Sequence, residues 1–156
     1  MTAPHSRSET GSYFGGVVGA LTRLSFGVQR ILEGIAEEHR LSLIQGRLLV
    51  GLLERRPTMS EVATMLYLER SSTTGLVARA EAHGLVRRER EGGLTRVVLT
   101  DLGRQEAQDM ARSVMERIEA RTRQLSESER QQLTALADRL VRAADPARVD
   151  ESETAD

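Results

Sequence analysis

The chain has 156 residues, of which 39% are hydrophobic, 29% charged and only 3% aromatic. This length fits one domain with a real core, and the few aromatic residues favour helices over an aromatic-rich sheet. The sequence has no cysteine, which excludes disulfides, thiolate metal sites and cysteine nucleophiles. All 22 basic residues are arginine, and the net charge is −1. A nucleic-acid surface would therefore need charges that are locally segregated.

The sequence shows no signal for a membrane or an export route. It has no apolar run long enough to span a bilayer, and its start, MTAPHSRSET, lacks the apolar core of a secretory signal. We therefore expect a cytoplasmic protein without a membrane partner. The polar, aperiodic residues 1–12 and the acidic residues 146–156 are predicted to be disordered.

Helical periodicity begins near the N-terminus. The apolar residues of this stretch recur in alternating steps of four and three: Val17, Leu21, Leu24, Val28, Ile31 and Ile35. This spacing predicts a helix with a heptad-like seam. The glycines beside the seam indicate close packing against another helix.

Two further helices follow. The pattern LSLIQGRLLVGLLERRP predicts a helix that starts near Ser42 and is ended by Pro57, because proline pushes the preceding residue out of helical geometry. The pattern TMSEVATML predicts a short helix capped by Thr58 or Ser60. A three-residue connection, 67–69, then leads into the next helix.

The next helix begins near Arg70, closes at Gly84 and starts with the run RSSTT. Its apolar residues Leu76, Val77 and Ala80 are expected to face inward. One hydroxyl cap would suffice for the first turn, so the surplus of hydroxyl groups is unusual. Such a donor-rich end, at the positive end of a helix dipole, suits phosphates and base edges. The alternative is simple capping and solvation.

Alternating residues replace the helical pattern after Gly84. The segments LVRRERE and LTRVVLT, joined by Gly92 and Gly93, predict a two-stranded antiparallel ribbon with a tight turn. Its arginines alternate with Glu89 and Glu91, which leaves two interpretations. The ribbon is either solvated and held by cross-strand ion pairs, or at least one arginine contacts a nucleic acid.

Two helices complete the chain. The first is long, is capped by Thr100 and is predicted to carry Leu102, Ala107, Met110, Val114 and Ile118 on its apolar face. The second starts with a capping box formed by Ser126 and Glu129 and ends at Pro146.

The order of a short helix, a tight connection, a second helix and a ribbon is that of a winged helix-turn-helix. The stretch from Leu43 to Gly103 resembles the MarR family of bacterial transcription regulators. Four pieces carry the resemblance: residues 45–49, SEVATML, LERSSTTGLVARAEAHGLVRR and VVLTDLG. It implies a mainly α fold with a small two- to three-stranded β wing, in which a DNA-binding lobe at 43–100 lies between dimerisation helices at 13–42 and 101–145.

The resemblance also implies a homodimer that binds a pseudo-palindromic double-stranded DNA operator, as a ligand-responsive repressor. The candidate DNA contacts are Arg70, Ser71, Ser72, Thr74, Arg79, Arg88, Arg90 and Arg96. Three features depart from the family: a shorter wing, Gly75 where a basic residue is frequent, and Tyr67 where a glycine often forms the corner. A helical dimer that acts through protein partners, with weak or no DNA binding, is therefore the alternative.

A small-molecule effector is a further implication, because family members bind anionic aromatic or lipophilic ligands. Gly46 stands where a bulky aromatic residue is common, and Arg23, Arg47 and Tyr67 are the candidate ligand contacts. The alternative is that Gly46 only permits close helix packing. The sequence shows no nucleophile motif, phosphate loop or paired histidine ligands, so we predict no catalytic residue, no metal and no cofactor.

Overall fold

The computed structural model describes residues 15–143, which form six helices and one antiparallel two-stranded sheet. The elements, in chain order, are α1 (Gly16–Glu38), α2 (Leu43–Gly51), α3 (Met59–Leu66), α4 (Arg70–Ala82), β1 (Val86–Glu91), β2 (Leu94–Leu99), α5 (Asp101–Thr122) and α6 (Glu127–Ala143). This order confirms a mainly α winged helix-turn-helix. The segments predicted to be disordered, 1–12 and 146–156, lie outside the described residues.

The chain divides into two compact units, one up to Glu116 and one from Arg117 onward. In the first unit, α2, α3, α4, the wing and α5 contribute to one apolar core. Its buried members are Leu48, Leu49, Leu52, Val62, Leu66, Leu76, Val77, Ala80, Leu85, Val86, Val97, Leu99 and Ala107. The predicted inward face of α4 is therefore confirmed.

Helix α2 is shorter than predicted, since it ends at Gly51 and not at Pro57. Leu52 is the C-cap residue, and the chain leaves the helix there. Just before α3 it pairs with β2, where the Pro57 carbonyl accepts a hydrogen bond from the Val97 amide at 2.8 Å and Thr58 forms a bridge with Arg96. The wing consists of two strands and this single additional bridge.

Hydroxyl caps fix the starts of four helices, and Ser42 caps α2 in a capping box with Gln45. Thr58, not Ser60, caps α3 in a capping box with Glu61. The Thr100 hydroxyl accepts the Gly103 amide at 3.0 Å and donates to the Gly84 carbonyl at 2.6 Å, so it joins α5 to the end of α4. Ser126 and Glu129 form the predicted capping box of α6.

The apolar face of α5 differs from the prediction at its first turn. Leu102 is 52% exposed, whereas Gly103, Ala107 and Met110 are buried. A Cβ atom at residue 103 would overlap the Leu85 carbonyl. Only glycine therefore lets α5 begin this close to Leu85, the residue before β1, and Leu102 is turned outward.

The seam of α1 is buried only in its second half. Ile31 and Ile35 are buried, whereas Val17, Leu21 and Leu24 are 73%, 43% and 53% exposed. In the second unit, α6 has no buried residue, and Leu133, Leu136, Leu140 and Val141 are exposed. Across residues 15–143, every helix is too short or too polar to cross a bilayer.

Candidate nucleic-acid interface

The hydroxyl run at the start of α4 does not cap the helix. Glu69 is the N-cap residue, and its side chain makes no capping hydrogen bond. The hydroxyls of Thr73 and Thr74 instead donate to the carbonyls four residues earlier, at 3.0 and 2.9 Å. Thr73 is also buried. Ser71 and Ser72 are exposed, which leaves their hydroxyls available to a partner.

The outward face of α4 carries small side chains. Thr73, Leu76, Val77 and Ala80 form the buried face. On the exposed side lie Ser71, Ser72, Thr74, Ala78, Arg79 and Ala82, with Gly75 half-buried among them. A helix with so little side-chain bulk can place its axis close to another surface, such as the floor of a DNA groove.

The strand register separates the wing arginines. Arg88 pairs with Val97 and Arg90 with Thr95, whereas Arg96 pairs with Glu89. Directly opposed residues share a face of the ribbon, and successive residues alternate between faces. Arg88 and Arg90 therefore lie on one face and Arg96 on the other.

On the face of Arg96, carboxylates pair with the arginines. Glu89 accepts hydrogen bonds from Arg87, through Nε at 2.9 Å and Nη2 at 2.6 Å, and also binds Arg56. The hydrogen bonds from Arg87, together with those from Arg56, hold the pKa of the Glu89 carboxyl below its usual range. The carboxylate thus stays ionised and neutralises much of this arginine cluster.

Arg96 is held at the base of the wing. Its Nη1 donates to the Arg56 carbonyl at 2.8 Å, and its Nε lies 2.8 Å from Oε2 of Glu91. The Nε–H is not directed at that oxygen, so the contact with Glu91 is an ion pair without a hydrogen bond, and within the described chain this buried nitrogen has no acceptor.

Arg88 is tied to α4. Its Nη1 lies 3.5 Å from Oε2 of Glu81, and its amide donates to the other carboxylate oxygen of Glu81 at 3.3 Å. Among residues 15–143, the predicted contacts Arg70, Arg79 and Arg90 have no ion pair, and all three are exposed. Of the eight predicted residues, five are thus exposed and available: Arg70, Ser71, Ser72, Arg79 and Arg90. Arg88 and Arg96 are paired with carboxylates, and the Thr74 hydroxyl donates within α4.

A cavity of about 530 Å³ lies between α1, α2, α3 and α5 of the first unit. Its lining includes Gly46 and Arg47, as well as the methionines Met65, Met110 and Met115. Arg47 is its one charged lining residue within residues 15–143. The cavity is otherwise apolar, which is the chemistry of a lipophilic ligand site.

The other two predicted ligand contacts do not line this cavity. Tyr67 ends α3 in a left-handed conformation, with φ of 53°, and is 85% exposed. Its place at the corner between α3 and α4 turns the side chain toward solvent. Arg23 lies exposed on α1 and is not among the lining residues of the described chain.

The sequence pattern did not indicate that Met65 and Met110 pack against the glycines of α2. A Cβ atom at Gly46 would lie 2.5 Å from Cε of Met110, and one at Gly51 would lie 2.8 Å from Sδ of Met65. The two glycines of α2 thus accommodate methionines from α5 and α3. Gly46 therefore serves close packing and also borders the cavity. Glycines in a helix with apolar neighbours were a signal for such contacts, but the partner residue follows only from the fold.

Comparisons with known proteins agree with this architecture. Residues 41–96 match the model of the MarR family. The fold is similar to that of NadR in complex with 4-hydroxyphenylacetate, with 23% identity, a TM-score of 0.73, and coverage of 88% of this chain and 98% of NadR. It is also similar to a MarR family protein from Bacillus stearothermophilus, with 23% identity, a TM-score of 0.74, and coverage of 80% and 90%.

A third similar structure contains DNA. It is a putative MarR family transcriptional regulator from Listeria monocytogenes complexed with 26mer DNA, with 15% identity, a TM-score of 0.72, and coverage of 83% of this chain and 89% of that protein. No protein of curated function matches the sequence. Residues 41–96 thus match the MarR family, and the chain has the winged-helix fold of these MarR structures.

Proposed function

We propose that the protein is a dimeric, ligand-responsive transcription repressor that binds a pseudo-palindromic operator through α4 and the wing. The observation that carries the proposal is the outward face of α4. Its small side chains allow close approach to a groove, its Ser71 and Ser72 hydroxyls are exposed, and Arg70 and Arg79 are not neutralised by acids. Phosphates and base edges are the partners that such donors suit.

The proposed dimer rests on two exposed apolar surfaces, one in each unit. The first half of α1 exposes Val17, Val18, Leu21 and Leu24, and α6 exposes four apolar side chains of its own. Contiguous apolar surfaces of this kind are rare on monomers and are usually covered by a partner. A second copy places two α4 helices on one DNA, as a pseudo-palindromic site requires.

The proposed effector is a lipophilic anion bound in the cavity. The apolar lining would hold its hydrocarbon part, and Arg47 would pair with its charge. NadR has been crystallised with 4-hydroxyphenylacetate, which is such an anion. Helices α2 and α3 both line the cavity, and α3 precedes the corner that leads to α4. Binding would thus bias the placement of α4 and release DNA.

The decisive experiment measures the binding of the full chain to its own upstream DNA and to a scrambled duplex by fluorescence anisotropy. The proposal expects at least about a 10³-fold preference for the upstream DNA at physiological salt and a steep loss of affinity as salt rises. Ser72→Ala should weaken operator binding with little change in thermal midpoint. Equal, weak binding to both duplexes would refute the proposal.

One observation favours the alternative, a helical dimer that acts through protein partners. Arg56, Arg87, Arg88 and Arg96 all pair with carboxylates of the wing and α4. This pairing reduces the positive field around the wing. Negligible, salt-insensitive DNA binding by a folded dimer would support this alternative.

A further inference from the structure

We propose that Arg79 is the side chain of α4 that reads a base, and that it reads a guanine in the major groove of each operator half-site. This inference rests on the proposed function and adds a specificity-determining residue to it. It follows from the position of the Arg79 guanidinium group beside Gly75 on the exposed face of α4.

The Arg79 side chain lies back over Gly75. A Cβ atom built at Gly75 would lie 3.3 Å from Nη1 of Arg79, although residue 79 comes one turn later in the helix. Helical side chains lean toward the N-terminus of their own helix, and a residue without a side chain leaves room for such a group. The guanidinium thus lies nearer the N-terminal half of α4 than its position in the sequence suggests.

The neighbours of Arg79 on this face cannot reach as far. Ser71, Ser72, Ala78 and Ala82 end within two heavy atoms of the backbone and are exposed. At about 100° per residue, Arg70 is about 140° around the helix axis from Gly75. Arg70 therefore lies at the side of this face and is better placed for a phosphate. Arg79 alone brings a long donor across the centre of the face.

The charge pattern leaves Arg79 available. The nearest acid along α4 in the direction of its C-terminus is Glu81, and this carboxylate pairs with Arg88 of β1. Arg79 is exposed and has no ion pair among residues 15–143. The ion pair with Arg88 thus occupies the Glu81 carboxylate, which would otherwise compete with DNA for Arg79. It also occupies Arg88, which would otherwise compete with Arg79 for DNA.

The donor geometry points to guanine. A guanidinium donates two parallel N–H bonds, and only guanine presents two acceptors, N7 and O6, side by side at the major-groove edge. The small side chains on either side allow the helix to approach until this contact forms. A phosphate contact would use the same group but would carry no sequence information.

The test combines protein variants with modified DNA. Each guanine of the selected operator is replaced in turn by 7-deazaguanine, which lacks the N7 acceptor, and binding is measured by anisotropy for the wild type, Arg79→Ala and Arg70→Ala. Inosine, which keeps N7 and O6, serves as the matched DNA control. We expect one guanine per half-site at which 7-deazaguanine weakens the wild type and Arg70→Ala by about fivefold or more. The same replacement should leave Arg79→Ala unaffected.

Two further variants test the position and the donor geometry of the Arg79 guanidinium group. Gly75→Ala should press on Nη1 and reduce the 7-deazaguanine effect while keeping the thermal midpoint, since alanine favours helix. Arg79→Lys keeps the charge but loses the paired donors, so it should bind scrambled DNA normally and discriminate poorly.

The outcomes separate the two proposals. If the wild type selects its operator but every 7-deazaguanine effect persists in Arg79→Ala, base reading by Arg79 is refuted and the proposed function stands. A uniform loss of affinity for operator and scrambled DNA in Arg79→Ala, with a shallower salt dependence, identifies a phosphate contact and also refutes it. Failure of the wild type to select any operator refutes both.

Discussion

His39 Nδ1 lies 2.7 Å from Oε2 of Glu106, and this pair joins the C-terminal end of α1 to α5. Only 19% of the His39 side chain and 35% of the Glu106 side chain are exposed. Both helices also line the cavity. The pair therefore fixes the relative position of two cavity walls.

Glu106→Gln should weaken this link, since a neutral amide replaces the charged acceptor. We expect the free energy of unfolding to fall by about 1 kcal/mol and the thermal midpoint to fall by about 3 °C. Thermal denaturation followed by circular dichroism measures both. Glu116→Gln is the matched control on α5, because Glu116 is exposed and without an ion pair in the described chain. Equal midpoints for the two variants would contradict the structural role of the pair.

Glu89 restrains the positive charge of the wing. Its carboxylate holds Arg56 and Arg87, so Glu89→Gln should release Arg87 and leave Arg56 with only its longer ion pair to Glu91, at 3.8 Å. We expect tighter binding to scrambled DNA and a steeper salt dependence, by about 0.9 in log–log slope for each phosphate newly contacted. Anisotropy at several salt concentrations gives this slope.

The control for the Glu89 prediction is Asp109→Asn. This change also removes one acid, together with its ion pair to Arg112 at 3.1 Å, but on α5. A gain in DNA affinity as large as that of Glu89→Gln would mean that net charge alone matters and that the ion pairs of the wing have no special role.

The capping box of α3 gives stability that depends on pH. Hydrogen bonds from the Thr58 backbone and hydroxyl, and then the charge of Arg96, hold the pKa of Glu61 below its ordinary value of 4.5. A carboxyl with a lowered folded-state pKa stabilises the protein above its unfolded pKa and loses that contribution as the pH falls through the folded value. Glu61→Gln should thus lower the thermal midpoint at pH 7, and the gap to the wild type should narrow below about pH 4.5.

Thr58→Ala is the companion variant, because it removes the hydroxyl cap at every pH. It should cost about 1 kcal/mol of unfolding free energy, with a smaller pH dependence than Glu61→Gln, because the Thr58 backbone and Arg96 still lower the Glu61 pKa. Thermal melts of both variants between pH 3 and 7 provide the comparison. If the difference in thermal midpoint between Glu61→Gln and the wild type stays constant over this range, the charge of Glu61 does not contribute to the capping box.

Local signals predicted most of the elements. Hydroxyl residues predicted the start of α3, and Ser126 with Glu129 predicted the start of α6. The pair Gly92 and Gly93 predicted the turn of the wing, where both glycines have positive φ. The end of α2 was predicted six residues too late. A proline signal at residue 57 marks where a helix cannot continue, but α2 has already ended at Gly51, and Pro57 and Thr58 pair with β2. Such pairing is between residues about 40 apart in sequence, and local patterns do not contain it.

The candidate site was less predictable. An arginine pattern does not show which cations are neutralised, because Arg56 and Glu89 meet only after the wing has folded. The corner residue Tyr67 looked like a cavity residue from family position alone. Its positive φ and exposure follow from its role as the C-cap of α3. The folded positions of the side chains, and not the residue types, thus show which arginines are neutralised and that Tyr67 is exposed.

The same substitution at two buried glycines should have very different effects. A Cβ atom at Gly46 would meet Cε of Met110, the end of a flexible side chain, whereas one at Gly103 would meet the backbone carbonyl of Leu85. That carbonyl is held in place, since it accepts the Thr100 amide at 3.1 Å and the Thr100 hydroxyl at 3.2 Å. The first obstacle can move and the second cannot.

Gly103→Ala should therefore lower the free energy of unfolding by about 3 kcal/mol or more. Gly46→Ala should change it by less than about 1 kcal/mol, because better helix propensity offsets the displaced methionine. Urea denaturation measures both values. The rotated Met110 would also narrow the cavity, so Gly46→Ala should weaken binding of 4-hydroxyphenylacetate or a more lipophilic carboxylate in calorimetry, if these probes bind the wild type. Comparable destabilisation by the two variants would show that Met110 is as rigid as the backbone and that the cavity cannot adapt to a ligand.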